Sequence, residues 1–269
     1  MATMLTYDTE GKREDLADAI YDISPTTTPF MSTIGRTKAK ATYHEWQTDN
    51  LADVDPTNAQ LEGADAVAPA LETTQKVGNR TQISYKVVQV STTDDVVDKA
   101  GRTTETAYQL AKASSELKRD MESILLSDQV GGAGTSSTAR TLKGIQTWLT
   151  TNVVTAGDGA DTAFTEDNLN QAVLEAYNEG GEPSMLLVSP VNKQAVSKFA
   201  GIAEQRFQAP SNKPTTIVAT ADIYMSDFGT LSVVPDRFLD DSVALVLDPS
   251  MASVAYLRPF KKTKLAKTG

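Results

Sequence analysis

Residues 103–129 repeat apolar and small side chains at the spacing of one helix face. Ala107, Leu110, Ala111, Ser114, Leu117, Met121, Ile124 and Leu125 follow the i, i+3, i+4, i+7 pattern. Gln109, Lys112, Glu116 and Asp120 line another side. If the whole span is helical it is roughly 40 Å long, at ~1.5 Å per residue. Gly131-Gly132-Ala133-Gly134 closes it. A helix of that length sets the frame on which shorter elements must pack, and its candidate core is Leu110, Leu117, Met121, Ile124 and Leu125.

The segments before it are not patterned like a compact domain. Residues 1–37 read as an arm, with Leu16, Ala19, Ile20 and Ile23 giving a short amphipathic helix over Glu10–Ile23. Ser24-Pro25 ends that helix, because proline pushes the preceding residue out of the helical region, and Thr26-Thr27-Thr28-Pro29 reads as extended chain. Residues 38–91 read as two strands around a long insert. Lys40–Thr48 carries Tyr43 and Trp46 among polar residues, and Gln82–Val90 sets Ile83, Tyr85 and Val87 on one face. The insert between them is rich in Ala, Asp and Thr and holds Pro56, Gly63, Pro69 and Gly78. So long a loop is uncommon inside a compact domain. Either it is disordered, or the hairpin projects from the body and is ordered by something else.

After a turn-rich stretch to about Asp161 the pattern becomes compact α/β. Thr165 caps a helix with Glu166 and Asp167 in its first turn, where the helix dipole favours anions. Leu169, Ala172, Val173, Ala176 and Tyr177 form its apolar stripe, and Gly180 suits its end. Met185–Val188 reads as a short buried strand, followed by Ser189 as a cap and Pro190 as a favoured first helical residue. Further strands are predicted near Thr216–Met225, Thr230–Val234, Val243–Leu247 and Ala252–Leu257.

Composition narrows the functions open to such a chain. The 269 residues include 35 acids and 25 bases, a net charge of −10. A nucleic-acid groove needs surplus Lys and Arg to displace phosphate counterions, so a broad DNA- or RNA-binding surface is not expected. The exception is the end of the chain, where Arg258, Lys261, Lys262, Lys264 and Lys267 stand without an acid. There is no cysteine, hence neither disulfides nor thiolate metal sites. The opening residues show no signal-peptide pattern, and the longest clean apolar run, Val243–Leu247, falls far short of the ~20 residues of a membrane span. A soluble protein is expected.

Candidate chemistry is sparse. His44 is the one histidine and lacks a second His or a Cys with which to share a metal. No G-x-S-x-G accompanies it, and a surface or packing role is the expectation. Gly132-Ala133-Gly134 resembles the start of a dinucleotide fingerprint, but Ser137 replaces the third glycine and a helix rather than a strand precedes it. Asp53-Val54-Asp55 and Asp158-Gly159-Ala160-Asp161 lack the ligand spacing of a calcium loop and read as solvated turns. Asn79-Arg80-Thr81 matches a glycosylation acceptor with no secretion signal beside it. No catalytic residue, cofactor site or metal site is assigned.

Several strings carry more information than these motifs. Ser24-Pro25-Thr26-Thr27-Thr28-Pro29-Phe30 running into Ile34-Gly35-Arg36, then Tyr43-His44-Glu45-Trp46, resembles the N-terminal part of a family of tailed-phage major head proteins. So do Leu142-Lys143-Gly144-Ile145, Leu186-Leu187-Val188-Ser189-Pro190, and Phe228-Gly229-Thr230-Leu231 to Val234-Pro235-Asp236-Arg237. The resemblance covers nearly the whole chain and lies in the order and spacing of the strings. It implies an α+β protein with the Hong Kong phage-type capsid fold. Its parts would be an N-terminal arm at 1–37, an extended loop (a long β-hairpin) at 38–91, and a peripheral domain at 92–155 with the spine helix at about 103–129. An axial domain would follow at 156–236, with a return to the peripheral domain through 237–269. Related proteins continue with a further strand after such a basic stretch, so Gly269 need not be the natural end. The Lys–Asn cross-link of some members of the wider fold matches no motif here.

The function implied is that of a structural subunit, not an enzyme. It would self-assemble through pentamers and hexamers into the icosahedral head of a tailed bacteriophage around its double-stranded DNA. Scaffolding, portal or decoration proteins are the further partners such a shell calls on; packaged DNA lies near only non-specifically, and no membrane is involved. Its place would be the virion, after assembly in the host bacterial cytoplasm. The competing readings are a bacterial nanocompartment shell of the same fold, a phage tail or decoration protein, and a small-molecule enzyme built near Ser189.

Charge suggests where copies meet. Asp49, Asp53, Asp55, Glu62, Asp65 and Glu72 precede Lys76, the first base of the insert, whereas the tail is wholly basic. Tyr43, Trp46, Asp53, Asp55, Glu62, Lys261, Lys262 and Lys264 are therefore the candidate interface residues. The bland alternative is two solvated charge runs that never meet.

Overall fold

In the computed structural model residues 26–63, 65, 73–98, 101, 103–155, 163–199 and 222–264 are described. The expected helix over Glu10–Ile23, the Asp158–Asp161 turn, Glu72 and Lys267 lie outside them. In chain order the elements are α1 (Pro29–Thr33), β1 (Gly35–Lys38), β2 (Tyr43–Thr48), β3 (Gln75–Arg80), α2 (Thr92–Val96), α3 (Glu105–Leu126) and α4 (Ile145–Trp148). They continue as α5 (Glu166–Asn178), β4 (Met185–Val188), α6 (Pro190–Val196), β5 (Ile223–Ser226), β6 (Gly229–Pro235), β7 (Ala244–Leu247) and β8 (Ser253–Tyr256). The chain divides into two units, Met1–Thr28 with Ser84–Met121, and Pro29–Ile83 with Glu122–Gly269.

The larger unit is organised by β4. Its sheet has the order β5-β6-β4-β7, with β4 parallel to β6 and antiparallel to β7. All four residues of Met185-Leu186-Leu187-Val188 are buried. Alternation along the strand sends them into two different clusters, as expected of a strand covered on both faces. Leu186 and Val188 join Leu169 and Val173 of α5, Val196 of α6, and Leu231 and Val233 of β6. Met185 and Leu187 join Phe30 of α1, Ile34, Leu126 of α3, and Leu245 and Leu247 of β7. Each such side chain contributes roughly 1.5–3 kcal/mol relative to its exposed state.

Local signals hold the covering helices in place. The Asn168 N–H donates to Thr165 Oγ1 at 3.3 Å, and the Asn192 N–H donates to Ser189 Oγ at 3.3 Å, satisfying helix-start donors at both caps. The Tyr224 hydroxyl lies 2.8 Å from Asn170 Oδ1 and 3.0 Å from Glu166 Oε1. Burial first, then Glu166, push that phenol up to about 12, so it stays a donor.

Several sequence expectations change. The partner of β2 is Gln75–Arg80, not Gln82–Val90, with register Tyr43↔Arg80 through Thr48↔Gln75. Glycine at 78 permits the approach, since a Cβ there would lie 2.8 Å from the His44 carbonyl oxygen and 2.9 Å from Glu45 Cγ. Lys76 also pairs with Glu45 at 2.7 Å. Residues 82–90 form no strand, and the insert shrinks to 49–74. Pro29 does not prolong an extended chain but opens α1, where its missing N–H costs nothing. Gly35–Lys38, which has no apolar alternation, pairs in parallel with Ser253–Tyr256. The main sheet also includes β7, which pairs antiparallel with β4.

The long helix runs from Glu105 to Leu126, slightly inside 103–129. Leu110, Leu117, Met121, Ile124 and Leu125 are half-buried, whereas Glu122 and Leu126 are fully buried and were not on the expected stripe. In the smaller unit Ser91 caps α2 by accepting from the Asp94 N–H at 3.1 Å, and Lys86 pairs with Asp120 at 2.7 Å. Among the described residues no helix is long and apolar enough to cross a membrane.

Candidate assembly surfaces

The β2–β3 hairpin is fixed at its base and open toward its tip. At the base, Asn79 Oδ1 accepts from the Lys143 N–H at 2.8 Å and Asn79 Nδ2 donates to the Lys143 carbonyl at 3.0 Å. Gln82 Oε1 accepts from Gln129 Nε2 at 2.9 Å and from the Leu142 N–H at 3.1 Å, while Arg140 Nε donates to the Thr81 carbonyl. The Trp46 ring lies 5.5 Å from that of Trp148, which carries Lys143 Nζ 4.2 Å above its centroid. The Arg80 guanidinium lies 4.9 Å from the Tyr43 ring centroid. Tyr43 and Trp46 thus serve the hairpin itself, yet each keeps about two-fifths of its surface open, at 39% and 40%.

Past Thr48 the anchoring stops. All described residues from Asp49 to Gly63 are exposed, including Leu51 at 98%, Val54 at 92% and Leu61 at 84%. Asp53, Asp55 and Glu62 lie there. The Thr57 hydroxyl and N–H donate to Asp55 Oδ1 and hold its carboxyl below the usual range. Lys261, Lys262 and Lys264 are likewise exposed. Within one subunit no ion pair among the described residues joins the two groups. A second open strip follows the hairpin, where Ile83, Tyr85 and Val87 are 71%, 75% and 65% exposed on chain that belongs to no strand.

The enzyme-like candidates resolve into structural roles. Ser189 is fully buried as the α6 cap, Gly132 bridges to Thr141, and His44 sits 6.0 Å from the Trp46 ring. Among the described residues no group of three or more His, Cys, Asp or Glu is placed to hold a metal. The smaller unit has a groove of about 440 Å³ lined by Lys86, Lys112, Asp94, Glu105 and Glu116 of mixed sign, without a histidine or cysteine. Sequence reasoning missed Trp148 and Lys143, whose signal was an aromatic following the Leu142-Lys143-Gly144-Ile145 string. It also missed the buried acids Glu122 and Asp236.

What remains is a double-faced sheet core with unpaired appendages, and comparison with known proteins gives that form a context. Residues 3–269 match the model of the family described as SU10 major capsid protein. The chain belongs to that family. A major capsid protein of Escherichia phage Phieco32 is 44% identical over 125 residues, which make up 46% of this chain and 36% of the relative. The similarity therefore spans little more than a third of the relative's own length. A solved chain from the capsid of cyanophage P-SCSP1u has 12% sequence identity and a TM-score of 0.48, covering 88% of this chain and 72% of that one.

Proposed function

We propose that this major capsid family member is a structural subunit that self-assembles into the icosahedral head of a tailed bacteriophage and encloses its double-stranded DNA. The match of residues 3–269 to the capsid family carries this reading. In it, the β2–β3 hairpin with its 49–74 insert is the extended loop, α3 the spine helix, and the β5-β6-β4-β7 sheet the centre of the axial domain of a Hong Kong phage-type fold. Pentamers and hexamers form in the host bacterial cytoplasm, with no catalytic role for the chain.

The exposed surfaces fit this role. Leu51, Val54 and Leu61 stand almost fully exposed along one stretch, apolar surface that a neighbouring copy would bury. Closed symmetric assembly repeats such a contact on every copy. The acidic Asp53, Asp55 and Glu62 would lie toward the basic Lys261, Lys262 and Lys264 of a neighbouring copy.

Sedimentation and negative-stain microscopy of the purified chain, alone and with lysate from infected cells, test the proposal. Closed shells in either condition are expected. A stable monomer in both, never incorporated into particles, contradicts it.

A further inference from the structure

The most unusual group in the core is a carboxyl pair. Glu122, on the last turns of α3, has no exposed surface, and neither has Asp236, just after β6. Glu122 Oε1 accepts from the Phe30 N–H at 2.6 Å, and Oε2 accepts from the Met31 N–H at 2.9 Å. Those two N–H groups belong to the first turn of α1 and have no partner within that helix. Asp236 Oδ1 accepts from the Phe238 N–H at 2.8 Å, while its backbone N–H donates to the Val188 carbonyl at 2.8 Å. Asp236 Oδ2 is buried with no donor of its own. The group within hydrogen-bonding reach is the Glu122 carboxyl.

Three N–H donors thus serve four carboxylate oxygens, and the fourth faces another carboxyl. Two ionised carboxylates in that position would repel in a low-dielectric site, and the orphaned oxygen would lose its hydration without replacement. One proton between them removes both costs, as an O–H of one group donates to the oxygen of the other.

We propose that Glu122 and Asp236 share one proton, forming a pH-sensitive latch that ties α1 to the C-terminal end of α3 and to the end of β6. Among the described residues α1, β4 and β7 carry no ionisable side chain, the chain from β6 to β7 adds the exposed Arg237, Asp240 and Asp241, and β1 adds the exposed Arg36 and Lys38. On α3 the sequence neighbours are Arg119 and Asp120, and on β8 Tyr256. Burial first, opposed by the Met31 N–H and reinforced by Asp236, pushes the Glu122 carboxyl up to about 7.

The sign follows from linkage. A free Glu carboxyl in the unfolded chain loses its proton near its usual value of about 4.3, whereas folded Glu122 keeps its own to about 7. Folding therefore takes up a proton in that window, so the latch stabilises fully at low pH and weakens as pH rises through it. Asp236→Asn replaces the shared proton by a permanent amide donor. Its Oδ1 still accepts from the Phe238 N–H, and its N–H₂ donates to ionised Glu122.

Thermal unfolding of the full-length wild type and Asp236→Asn, measured from about pH 4.5 to about pH 8, tests the latch. The wild-type midpoint relative to the variant should fall by roughly 5 °C across the window and level off above about pH 7. A difference that does not change with pH overturns the proposal. If Asp236→Asn does not fold, infrared titration of the folded wild type decides. A protonated carboxyl stretch that persists above pH 6 supports the shared proton, and its absence there contradicts it.

Discussion

The main sheet and the β2–β3 hairpin are built on opposite principles. In β4 every side chain is buried within the subunit, two facing α5 and α6 and two facing α1 and the end of α3. In the hairpin, hydrogen bonds and one aromatic contact secure the base, and from Asp49 to Gly63 the described chain touches almost nothing of its own. The sheet therefore has its stabilisation inside one chain. The hairpin has anchoring at its base alone, and in the proposed shell a second copy would supply the rest.

Mutations that act on one region and spare the other sharpen this contrast. The largest effect is expected from Leu187→Ala, which opens a cavity where β4 meets α1 and β7. Such truncations cost about 2–5 kcal/mol, and denaturant unfolding should show the loss in the isolated subunit. Next is Gly78→Ala, whose methyl would meet backbone of β2. It should shift strand register or loosen the hairpin, raising amide exchange at Tyr43–Thr48 while β4 amides stay protected. Trp148→Ala removes the ring that packs at a tilt against Trp46. A ring-packing contribution of about 0.5–1.5 kcal/mol should be lost from the hairpin base, read as faster exchange there with little change in global unfolding.

The smallest effect on the subunit, and a large one on assembly, is expected for Leu51→Ser with Val54→Ser. Both side chains are almost fully exposed, so subunit stability should stay within about 0.5 kcal/mol while particle yield falls. Charge reversal is gentler still. Lys261→Glu with Lys262→Glu should weaken assembly at low salt, and adding Asp53→Lys with Asp55→Lys should restore part of it. High salt should shrink both changes by screening. A tail reversal without effect at low salt, or a loop reversal that never rescues, would sink the charge pairing alone.

The two regions also differed in how much their sequence disclosed. Met185–Val188 was legible because four apolar residues lead straight into a Ser-Pro helix start, and both caps form as their residue types require. The hairpin's return strand was not, since Gln75-Lys76-Val77-Gly78-Asn79-Arg80 has neither alternation nor burial to announce it. Gln82–Val90 does alternate, yet its apolar face points to solvent, so a correct period led to a wrong partner. Glu122 was hidden for a related reason. An acid on the last turns of a long helix reads as part of the polar side until the chain brings Phe30, Met31 and Asp236 to it. The candidate interface was legible as composition, an acidic insert and a basic tail, but contact between copies is not written in one chain.

Hydrogen exchange of the free subunit against assembled particles tests the division of labour most directly. Residues 49–63 and the strip around Tyr85 should exchange fast in the subunit and gain strong protection in the particle, with Met185–Val188 protected equally in both. Equally fast exchange of 49–63 before and after assembly would contradict the account, because the hairpin would then have nothing to gain from a second copy.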